Sequence, residues 1–486
     1  MTARCIMVLG TNSGAGKSWL ATALCRWYAN QGLKVAPFKA QNMSNNARVV
    51  ATPAGEYGEI GSAQYFQALA ARAVPDVRMN PLLLKPEADT RSQVVLLGQV
   101  SHELSQLPWR GRRQRVWPQI AQALDELRAE NDVVVIEGAG SPAEINLSSS
   151  DVVNMRVARH AGARCLLVAD IDRGGAFAHL YGTWALLPED ERTLIQGFVL
   201  NKFRGDASLL TPAPQLLQER TGVPVVATIP MQYGHGLPEE DGLYEGSLRA
   251  APGAGRIHTR VAIVAYPRVS NLDEFAPLQS AGGVAVTWAR SPAELAGCDW
   301  VILPGSKATA ADLGWLRAQG LDGAIAAHAA AGGRVLGVCG GLQMLGEALI
   351  DTVGVDGNGP GLGLLPLVTS FEAKKTVRST RARFGDVQGA WQPLAGVEVL
   401  GYEIHHGQTA QHPAMAAKGD VARELIPGLA WQNPAGNVLG VYLHGLLENA
   451  SVLQALLGGS AQTLDAAFER MAQGVGQWFD PSFLKI

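Results

Sequence analysis

Cysteine is scarce in this chain, and its spacing shows no pairing. The five cysteines, at positions 5, 25, 165, 298 and 339, are an odd number, and no two of them form a C-x-x-C pair. This distribution argues against a disulfide framework and against a structural zinc site. We therefore expect a protein of a reducing compartment, the cytoplasm.

Long apolar runs and an excess of one charge are also missing. No stretch reaches the roughly 18 uninterrupted apolar residues of a membrane-spanning helix, and the start MTARCIMVLG is typical of a first strand rather than a signal peptide. The 40 basic and 43 acidic residues leave a net charge of -3 without a run of like charge. We therefore expect neither a membrane nor a nucleic acid as a partner.

Short apolar segments alternate with amphipathic ones along most of the 486 residues. Six strand candidates, from CIMVLG to VPVVATIP, precede position 231, and a second series begins with RVAIVAY at position 260. This alternation predicts an α/β protein with parallel sheets. The glycine-rich, charged stretch 231–258 interrupts it, so we predict one domain at 1–250 and another at 255–486, the latter ending in a helical segment.

The stretch GTNSGAGKS after the first strand has the features of a phosphate-binding loop with one extra residue. The usual spacing asks for glycine where the chain has Thr11. Lys17 could still reach the terminal phosphates, and Ser18 could bind Mg²⁺, at the start of a helix whose dipole favours anions. Backbone N–H groups could face the phosphate oxygens from Asn12, Ser13, Gly14 and Gly16. We predict a nucleoside triphosphate site.

Cys339 is the candidate nucleophile of the second half. In RVLGVCGGLQMLGEAL an apolar strand stops at Cys339, and two glycines, Gly340 and Gly341, open an amphipathic helix. A turn of this kind holds the thiol at a helix N-terminus, where the thiolate is stabilised. The other four cysteines lie in apolar segments without such a turn, so we expect them to be buried and unreactive.

A thiol nucleophile needs a base, and three histidines compete for that role. His444 follows the apolar strand NVLGVYL, while His405 and His406 lie in GYEIHHG. The residues by themselves rank the three nearly level. Gly305, in the strand-ending turn LPGS, is suited to supply an oxyanion donor beside the Gly340 N–H.

These motifs resemble those of known families. GVCGGLQML with VYLHG resembles the flavodoxin-like domain of class I glutamine amidotransferases, and GTNSGAGKS with VVVIEGAG resembles the dethiobiotin-synthetase type of P-loop domain, in which the extra loop residue is normal. Their order, together with PFKAQNMSNN, EGAGSPAEINL, DIDRGGAFAHLYGT and GYEIHHG, closely resembles the cobyric acid synthase family over nearly the whole chain.

In the first half, the resemblance implies an ATP site that uses Mg²⁺, without a tightly bound prosthetic group. Lys39, together with the loop lysine, would neutralise phosphoryl charge. Glu137, where VVVIEGAG ends its strand, would hold Mg²⁺ together with Ser18. Glu59 is a further candidate metal ligand, and Asn201 resembles an adenine-contacting position.

In the second half, the resemblance implies that Cys339 and His444 release ammonia from glutamine, which Gln343 would hold. Two positions depart from expectation. Leu446 stands where the wider class has a glutamate that orients the histidine, which leaves Glu403 and Glu448 as candidates for that role. Ala308 replaces an asparagine expected from the family.

The activity implied is ATP- and glutamine-dependent amidation of a corrinoid. The b, d, e and g side-chain carboxylates of adenosylcobyrinic acid a,c-diamide would be converted to amides, giving adenosylcobyric acid in cobalamin biosynthesis. A cobyrinic acid a,c-diamide synthase, which shares the architecture, is the first alternative. A partitioning-type P-loop ATPase is a distant one, since its signature lysine is replaced by Asn12.

Overall fold

The structure is a computed structural model that describes residues 2–52, 54–88, 90–147, 151–238, 249–250, 256–459 and 463–485. Strands and helices alternate in both halves of the chain, which confirms the α/β prediction. Among the described residues, no helix is both long and apolar enough to cross a membrane.

The first half of the chain contains a six-stranded parallel sheet and smaller sheets beside it. Its strands are β1 (Arg4–Gly10), β2 (Val35–Phe38), β3 (Gln41–Met43), β4 (Ala47–Ala51), β5 (Tyr57–Gly61), β6 (Leu82–Ala88), β7 (Arg91–Leu96), β8 (Gln99–Val100), β9 (Val133–Glu137), β10 (Arg164–Asp170), β11 (Ile195–Phe203) and β12 (Val225–Pro230). Its helices are α1 (Lys17–Asn30), α2 (Ser62–Ala70), α3 (His102–Gln106), α4 (Trp109–Glu130), α5 (Met155–Ala161), α6 (Ala176–Leu186), α7 (Glu189–Arg192) and α8 (Ala213–Thr221).

The order of the main sheet is β12-β11-β10-β1-β9-β2, and all neighbours are parallel. These are the six strands that the apolar segments predict. Alternate residues of β1 enter two different apolar cores, Ile6 and Val8 one of them, Met7 and Leu9 the other. Because both faces are covered, the strands are apolar throughout rather than alternating. Two small sheets, β3-β6-β7-β8 and the hairpin β4-β5, accompany the main one.

The second half of the chain contains a mixed eight-stranded sheet and smaller sheets beside it. Its strands are β13 (Arg249–Ala250), β14 (Thr259–Val264), β15 (Val269–Ser270), β16 (Val284–Ala289), β17 (Trp300–Leu303), β18 (Gly305–Ser306), β19 (Arg334–Val338), β20 (Ala348–Asp351), β21 (Gly359–Pro360), β22 (Leu367–Arg383), β23 (Glu398–Gln411), β24 (Arg423–Ile426), β25 (Ala430–Gln432) and β26 (Val438–Val441). Its helices are α9 (Ala276–Ser280), α10 (Thr309–Ala318), α11 (Leu321–Ala330), α12 (Gly340–Leu345), α13 (Pro413–Ala416), α14 (Ala450–Leu457), α15 (Leu464–Trp478) and α16 (Pro481–Leu484).

The eight-stranded sheet has the order β13-β16-β14-β17-β19-β26-β25-β24. Its parallel part is β16-β14-β17-β19-β26. Numbered along the chain, this is the order 2-1-3-4-5 of flavodoxin-like sheets, as the resemblance implies. In such sheets ligands bind at the carboxyl ends of the strands, and β19 and β26 end just before Cys339 and His444. The long antiparallel pair β22-β23 was not predicted from the sequence.

The last long helix, α15, lies against the first half of the chain. The buried Arg26 of α1 donates to Asp465 and Glu469 of α15, both at 2.7 Å. The Trp19 and Trp478 rings lie 5.8 Å apart, centroid to centroid. The C-terminal helical segment, which sequence order assigns to the second domain, therefore packs on the first.

Candidate functional site

The phosphate-binding loop connects β1 to α1, as the sequence predicts. Lys17, the first residue of α1, donates from Nζ to the carbonyl oxygens of Asn12 at 2.8 Å and Gly140 at 3.1 Å. Gly16 has φ +95°, and a Cβ there would lie 2.1 Å from Nδ2 of Asn201. Only glycine fits this turn.

The loop is held in place from the end of β11. Asn201 donates from Nδ2 to the Ala15 carbonyl oxygen at 2.9 Å, and the neighbouring Lys202 donates from Nζ to the Gly14 carbonyl oxygen at 2.9 Å. These contacts place Asn201 beside the loop. Its assignment to adenine stays a prediction.

Glu137 is buried beside the loop at the end of β9 and accepts hydrogen bonds from three side chains. Its donors are Ser18 Oγ at 2.8 Å, Lys39 Nζ at 2.8 Å and Gln67 Nε2 at 2.6 Å. Burial raises the pKa of Glu137, but Lys39 and the hydrogen bonds outweigh burial and hold that pKa below its usual range. The resemblance implies that Ser18, Lys39 and Glu137 all belong to the nucleotide site, and the structure brings these three together. Gln67 was not predicted, because a glutamine within a helix gives no signal of its own.

The contact between Ser18 and Glu137 fits a Mg²⁺ site. Mg²⁺ is usually bound through one or two protein oxygens together with substrate phosphates and water, so it needs no complete cage of side chains. In the part of the chain that the structure describes, no cluster of three or more histidine, cysteine, aspartate or glutamate residues is suited to a metal ion.

Glu59 contacts two lysines rather than Ser18 or Glu137, which argues against the predicted role as a metal ligand. It is buried at the contact between the two halves, where Oε2 accepts from Lys85 Nζ at 2.8 Å and Oε1 accepts from Lys375 Nζ. Burial raises the pKa of Glu59, but the two lysines outweigh burial and lower it. Both carboxylate oxygens of Glu59 are thus engaged by lysines.

Cys339 occupies a strained turn between β19 and α12. Its backbone has φ +50° and ψ -105°, a combination that non-glycine residues rarely adopt and that is found mainly at functional sites. A Cβ on Gly340 would lie 2.7 Å from the Ser306 backbone nitrogen, and one on Gly341 would lie 1.9 Å from the Leu303 carbonyl oxygen. The two glycines therefore let the turn pack against the end of β17.

His444 lies between Cys339 and a buried carboxylate. Its Nδ1 is 2.9 Å from Oε1 of Glu274, whose other oxygen accepts from the Gly445 backbone N–H at 2.8 Å. Burial lowers the pKa of His444, but Glu274 and Cys339 outweigh burial and raise it to about 10. This arrangement favours an imidazolium beside the cysteine.

Glu274 contacts His444, whereas the two predicted candidates, Glu403 and Glu448, contact arginines. Glu403 accepts from Arg378 Nε at 2.7 Å, and Glu448 accepts from Arg48 Nη1 at 2.8 Å. Glu274 lies in a short 3-10 turn, 170 residues before its partner. The acidic pair in NLDEF was the only signal in the sequence, and it resembles any solvated turn.

The two competing histidines line the same pocket with other partners. His405 stacks on Tyr442, with ring centroids 4.0 Å apart, and its Nδ1 is 2.8 Å from the Gly407 carbonyl oxygen. His406 is half-buried, and burial together with Lys375 lowers its pKa to about 4. The geometry favours His444 as the base. Of the three histidines, it is the one that contacts the buried Glu274 through Nδ1 and also interacts with Cys339.

Gln343 lines the pocket that holds Cys339, and Gly305 lies beside the His444 ring. Gln343 Oε1 accepts from Thr309 Oγ1 at 3.1 Å, and its Nε2 lies 3.4 Å from the Tyr442 hydroxyl. A Cβ on Gly305 would lie 2.9 Å from the His444 ring, so any side chain there would displace the imidazole. Both residues are therefore close to the Cys339 and His444 side chains.

The departure at Ala308 has a structural counterpart. Ala308 is the N-cap of α10 and provides no capping side chain. Asp356 accepts instead from the Thr309 N–H at 2.9 Å and the Ala310 N–H at 2.8 Å, so the free donors of the first turn are satisfied from elsewhere.

Comparison with known proteins gives consistent matches to both halves. Residues 6–237 match the CobQ/CobB/MinD/ParA nucleotide binding domain, and residues 260–452 match the CobB/CobQ-like glutamine amidotransferase domain. The chain is 80% identical to the cobyric acid synthase of Acidovorax sp. (strain JS42), covering 99% of this chain and 97% of that protein. It is 70% identical to the cobyric acid synthase of Variovorax paradoxus (strain S110), covering 100% and 99% respectively.

Proposed function

Since the chain belongs to the cobyric acid synthase family, we propose that it forms the b, d, e and g amides of adenosylcobyrinic acid a,c-diamide, with Cys339 and His444 supplying the ammonia. Membership of the family makes it a glutamine-hydrolysing amidotransferase that uses ATP and a corrinoid in cobalamin biosynthesis. The cobyrinic acid a,c-diamide synthase and partitioning ATPase alternatives have no comparable support.

One observation carries the assignment of roles. The His444 ring lies between Cys339 and Glu274 in a chain that also holds Lys17 and Ser18 in a phosphate-binding loop. A nucleotide switch would not need the first group, and a simple glutaminase would not need the second.

In the synthetase half, ATP would phosphorylate a corrinoid carboxylate. The carboxylate oxygen attacks the γ-phosphorus, the bond to the β-phosphate oxygen breaks, and an acyl phosphate and ADP result. Lys17 and Lys39 would neutralise the charge that shifts between phosphate oxygens. Ammonia would then attack the acyl carbon and expel inorganic phosphate, leaving the amide.

We assign the Mg²⁺ of this half to Ser18 and Glu137. When bound there, Mg²⁺ supplies positive charge to the phosphate oxygens. The buried Glu137, held ionised by Lys39, would keep one oxygen facing Ser18 for this purpose. Gln67 holds the other oxygen and would fix the orientation of the carboxylate.

In the glutaminase half, the Cys339 sulfur would attack the side-chain amide carbon of glutamine. The imidazolium of His444 would give its proton to the leaving nitrogen, releasing ammonia and leaving a glutamyl thioester. The same imidazole, now neutral, would take a proton from water as that water attacks the thioester. Glutamate leaves, and the pair returns to its starting state, with Glu274 stabilising the imidazolium throughout.

By sequence order we place the synthetase half at 1–250, the glutaminase half at 255–486 and the enzyme in the cytoplasm. Two segments cross this division, since β13 pairs with β16 of the second half and α15 packs on α1 of the first. Each family match lies within one of the two intervals. All five cysteines are free in the structure, which is consistent with a reducing compartment.

Mass spectrometry of the corrinoid tests the proposal. The purified protein is incubated with adenosylcobyrinic acid a,c-diamide, ATP, Mg²⁺ and glutamine. Four carboxylates converted to amides would support it. Unchanged a,c-diamide, together with amidation of cobyrinic acid at only the a and c positions, would favour the diamide synthase instead.

A further inference from the structure

Residues 46–48 of the synthetase half contact the 3-10 turn of the glutaminase half that carries Glu274. Asn46 Oδ1 accepts from the Leu272 backbone N–H at 3.0 Å. The Ala47 backbone N–H donates to Asn271 Oδ1 at 3.3 Å, and Asn271 Nδ2 donates to the Ala47 carbonyl oxygen at 3.2 Å. All three hydrogen bonds end on the segment that carries Glu274, at most three residues away from it.

Arg48 connects the segment that carries Glu274 with the segment that carries His444. Its guanidinium is buried and donates from Nε to Asp273 Oδ2 at 3.1 Å and from Nη1 to Glu448 Oε2 at 2.8 Å. Asp273 directly precedes Glu274, and Glu448 follows His444 by four residues. One side chain from the synthetase half thus spans both sides of the hydrogen bond between Glu274 and His444.

The plane of the imidazole is fixed by the same residues. The Tyr402 ring stacks on His444, with centroids 5.3 Å apart and planes 20° apart. The Tyr402 hydroxyl accepts from Asn271 Nδ2 at 2.8 Å, and the Arg48 guanidinium carbon lies 5.2 Å from the centroid of the Tyr402 ring. A shift of Arg48 or of the turn would therefore be transmitted to His444.

The stretch that ends at Arg48 begins at the nucleotide site. Lys39 contacts Glu137 beside the phosphate-binding loop. The chain between Lys39 and Arg48 is bonded to its own half, since β3 pairs with β6 and the Ser44 N–H donates to the Leu84 carbonyl oxygen at 3.0 Å. The synthetase half therefore presents Asn46 and Arg48 on a braced segment rather than a loose loop.

Resting on the proposed function, we propose that Asn46 and Arg48 are positioning residues of the glutaminase, which hold Glu274 and His444 in register from the synthetase half. The carboxylate that aligns the base is thereby kept in place by the half of the enzyme that consumes the ammonia. Glutamine hydrolysis needs this alignment, whereas amidation from free ammonia does not.

The test uses the full-length enzyme with Arg48→Lys and Asn46→Ala. Lysine keeps the charge of Arg48 but cannot bridge two carboxylates with a planar fork. We expect kcat for glutamine hydrolysis to fall by about 10- to 100-fold in Arg48→Lys, since small displacements of catalytic groups have effects of this size. A smaller fall is expected in Asn46→Ala, and little change in KM for glutamine or in ammonia-dependent amidation in either variant.

The pH profile separates positioning from general destabilisation. A looser contact with Glu274 lowers the pKa of His444, so the alkaline limb of the glutaminase profile should move to lower pH in Arg48→Lys. Arg26→Lys is the matched control, because Arg26 is equally buried and also donates to two carboxylates, but on helix α15. It should lower the melting temperature without changing glutaminase kcat or its pH profile.

Three outcomes would overturn the inference. The first is that folded Arg48→Lys and Asn46→Ala both keep the glutaminase kcat and pH profile of the wild type. If Arg48→Lys does not fold, the result for Asn46→Ala decides alone. The second is an equal loss of glutaminase in Arg26→Lys. In both cases the wild type still shows Cys339-dependent glutaminase, so the proposed function stands. A wild type without that activity would overturn the proposed function and this inference with it.

Discussion

Glu274 Oε1 lies 2.9 Å from His444 Nδ1, although 170 residues separate the two along the chain. Because Nδ1 faces the carboxylate, Nε2 is left to face the cysteine side, so in the proposed mechanism Nε2 is the atom that gives its proton to the leaving nitrogen and later takes one from water. We therefore propose that Glu274 orients His444, the role for which the resemblance to the wider class expects a glutamate where this chain has Leu446.

Glu274→Gln should lower glutamine-dependent turnover by about 10²- to 10⁴-fold, because an amide can donate to Nδ1 and so favours the wrong tautomer. Ammonia-dependent amidation should be retained. Glu403→Gln is the control, since Glu403 is also buried and also contacts a histidine, His405. Rates of glutamate release and of amide formation from ammonium salts give the measurement, and full glutaminase activity in Glu274→Gln would contradict the assignment.

Cys339→Ala should separate the two half-reactions. Without the thiol no thioester forms, so glutamine-dependent synthesis should be lost, while synthesis from ammonium salts at raised pH should persist because more of the nitrogen is unprotonated. Corrinoid amidation with each nitrogen source gives the readout. Loss of both activities in a folded Cys339→Ala protein would count against independent half-sites.

Lys17→Ala should abolish amidation with glutamine and with ammonia alike, because both routes need the acyl phosphate. Glutamine hydrolysis, measured in the same samples as glutamate release, reports on the folding of the other half. Amidation from ammonia by the variant would remove the loop lysine from the mechanism.

A glutamine-mimicking electrophile should label Cys339 before the other cysteines. Burial raises the pKa of Cys5 to about 11 and also raises the pKa values of Cys25, Cys165 and Cys298, so these thiols are poor nucleophiles at neutral pH. Peptide mapping after brief exposure measures the order of labelling. His444→Gln should slow labelling of Cys339, whereas His406→Gln should not, and the reverse order would point to another base.

The pairing of His444 should make stability depend on pH. The ordinary pKa of a histidine side chain is 6.5, and that of His444 in the folded protein is about 10, so the folded state binds the extra proton between these values. The stabilisation is then fully present below pH 6.5 and is lost as pH rises toward 10. The melting temperature of the wild type relative to His444→Gln should fall over this interval. A difference that grows with pH would contradict the charge assigned to His444.

The central strands of both halves, the phosphate-binding loop and the turn at Cys339 follow from the order of the residues alone. Each is a local signal: a buried parallel strand is a short apolar run, and a strand-to-helix turn requires glycine at Gly16, Gly340 and Gly341 whatever the rest of the chain does. The resemblance added Lys39 and Glu137, which the structure brings together.

Which carboxylate meets His444, and what Glu59 contacts, depend on tertiary packing. Glu274, Glu403 and Glu448 are equivalent as isolated residues, and their roles follow from which cation or ring each meets after the sheet and the two halves have packed. The position of α15 also depends on tertiary packing. Its apolar face is compatible with many apolar surfaces, and the ion pairs of Arg26 with Asp465 and Glu469 place it on α1. Partners far apart in sequence are chosen by packing and charge in three dimensions, and no local pattern of residues records that choice.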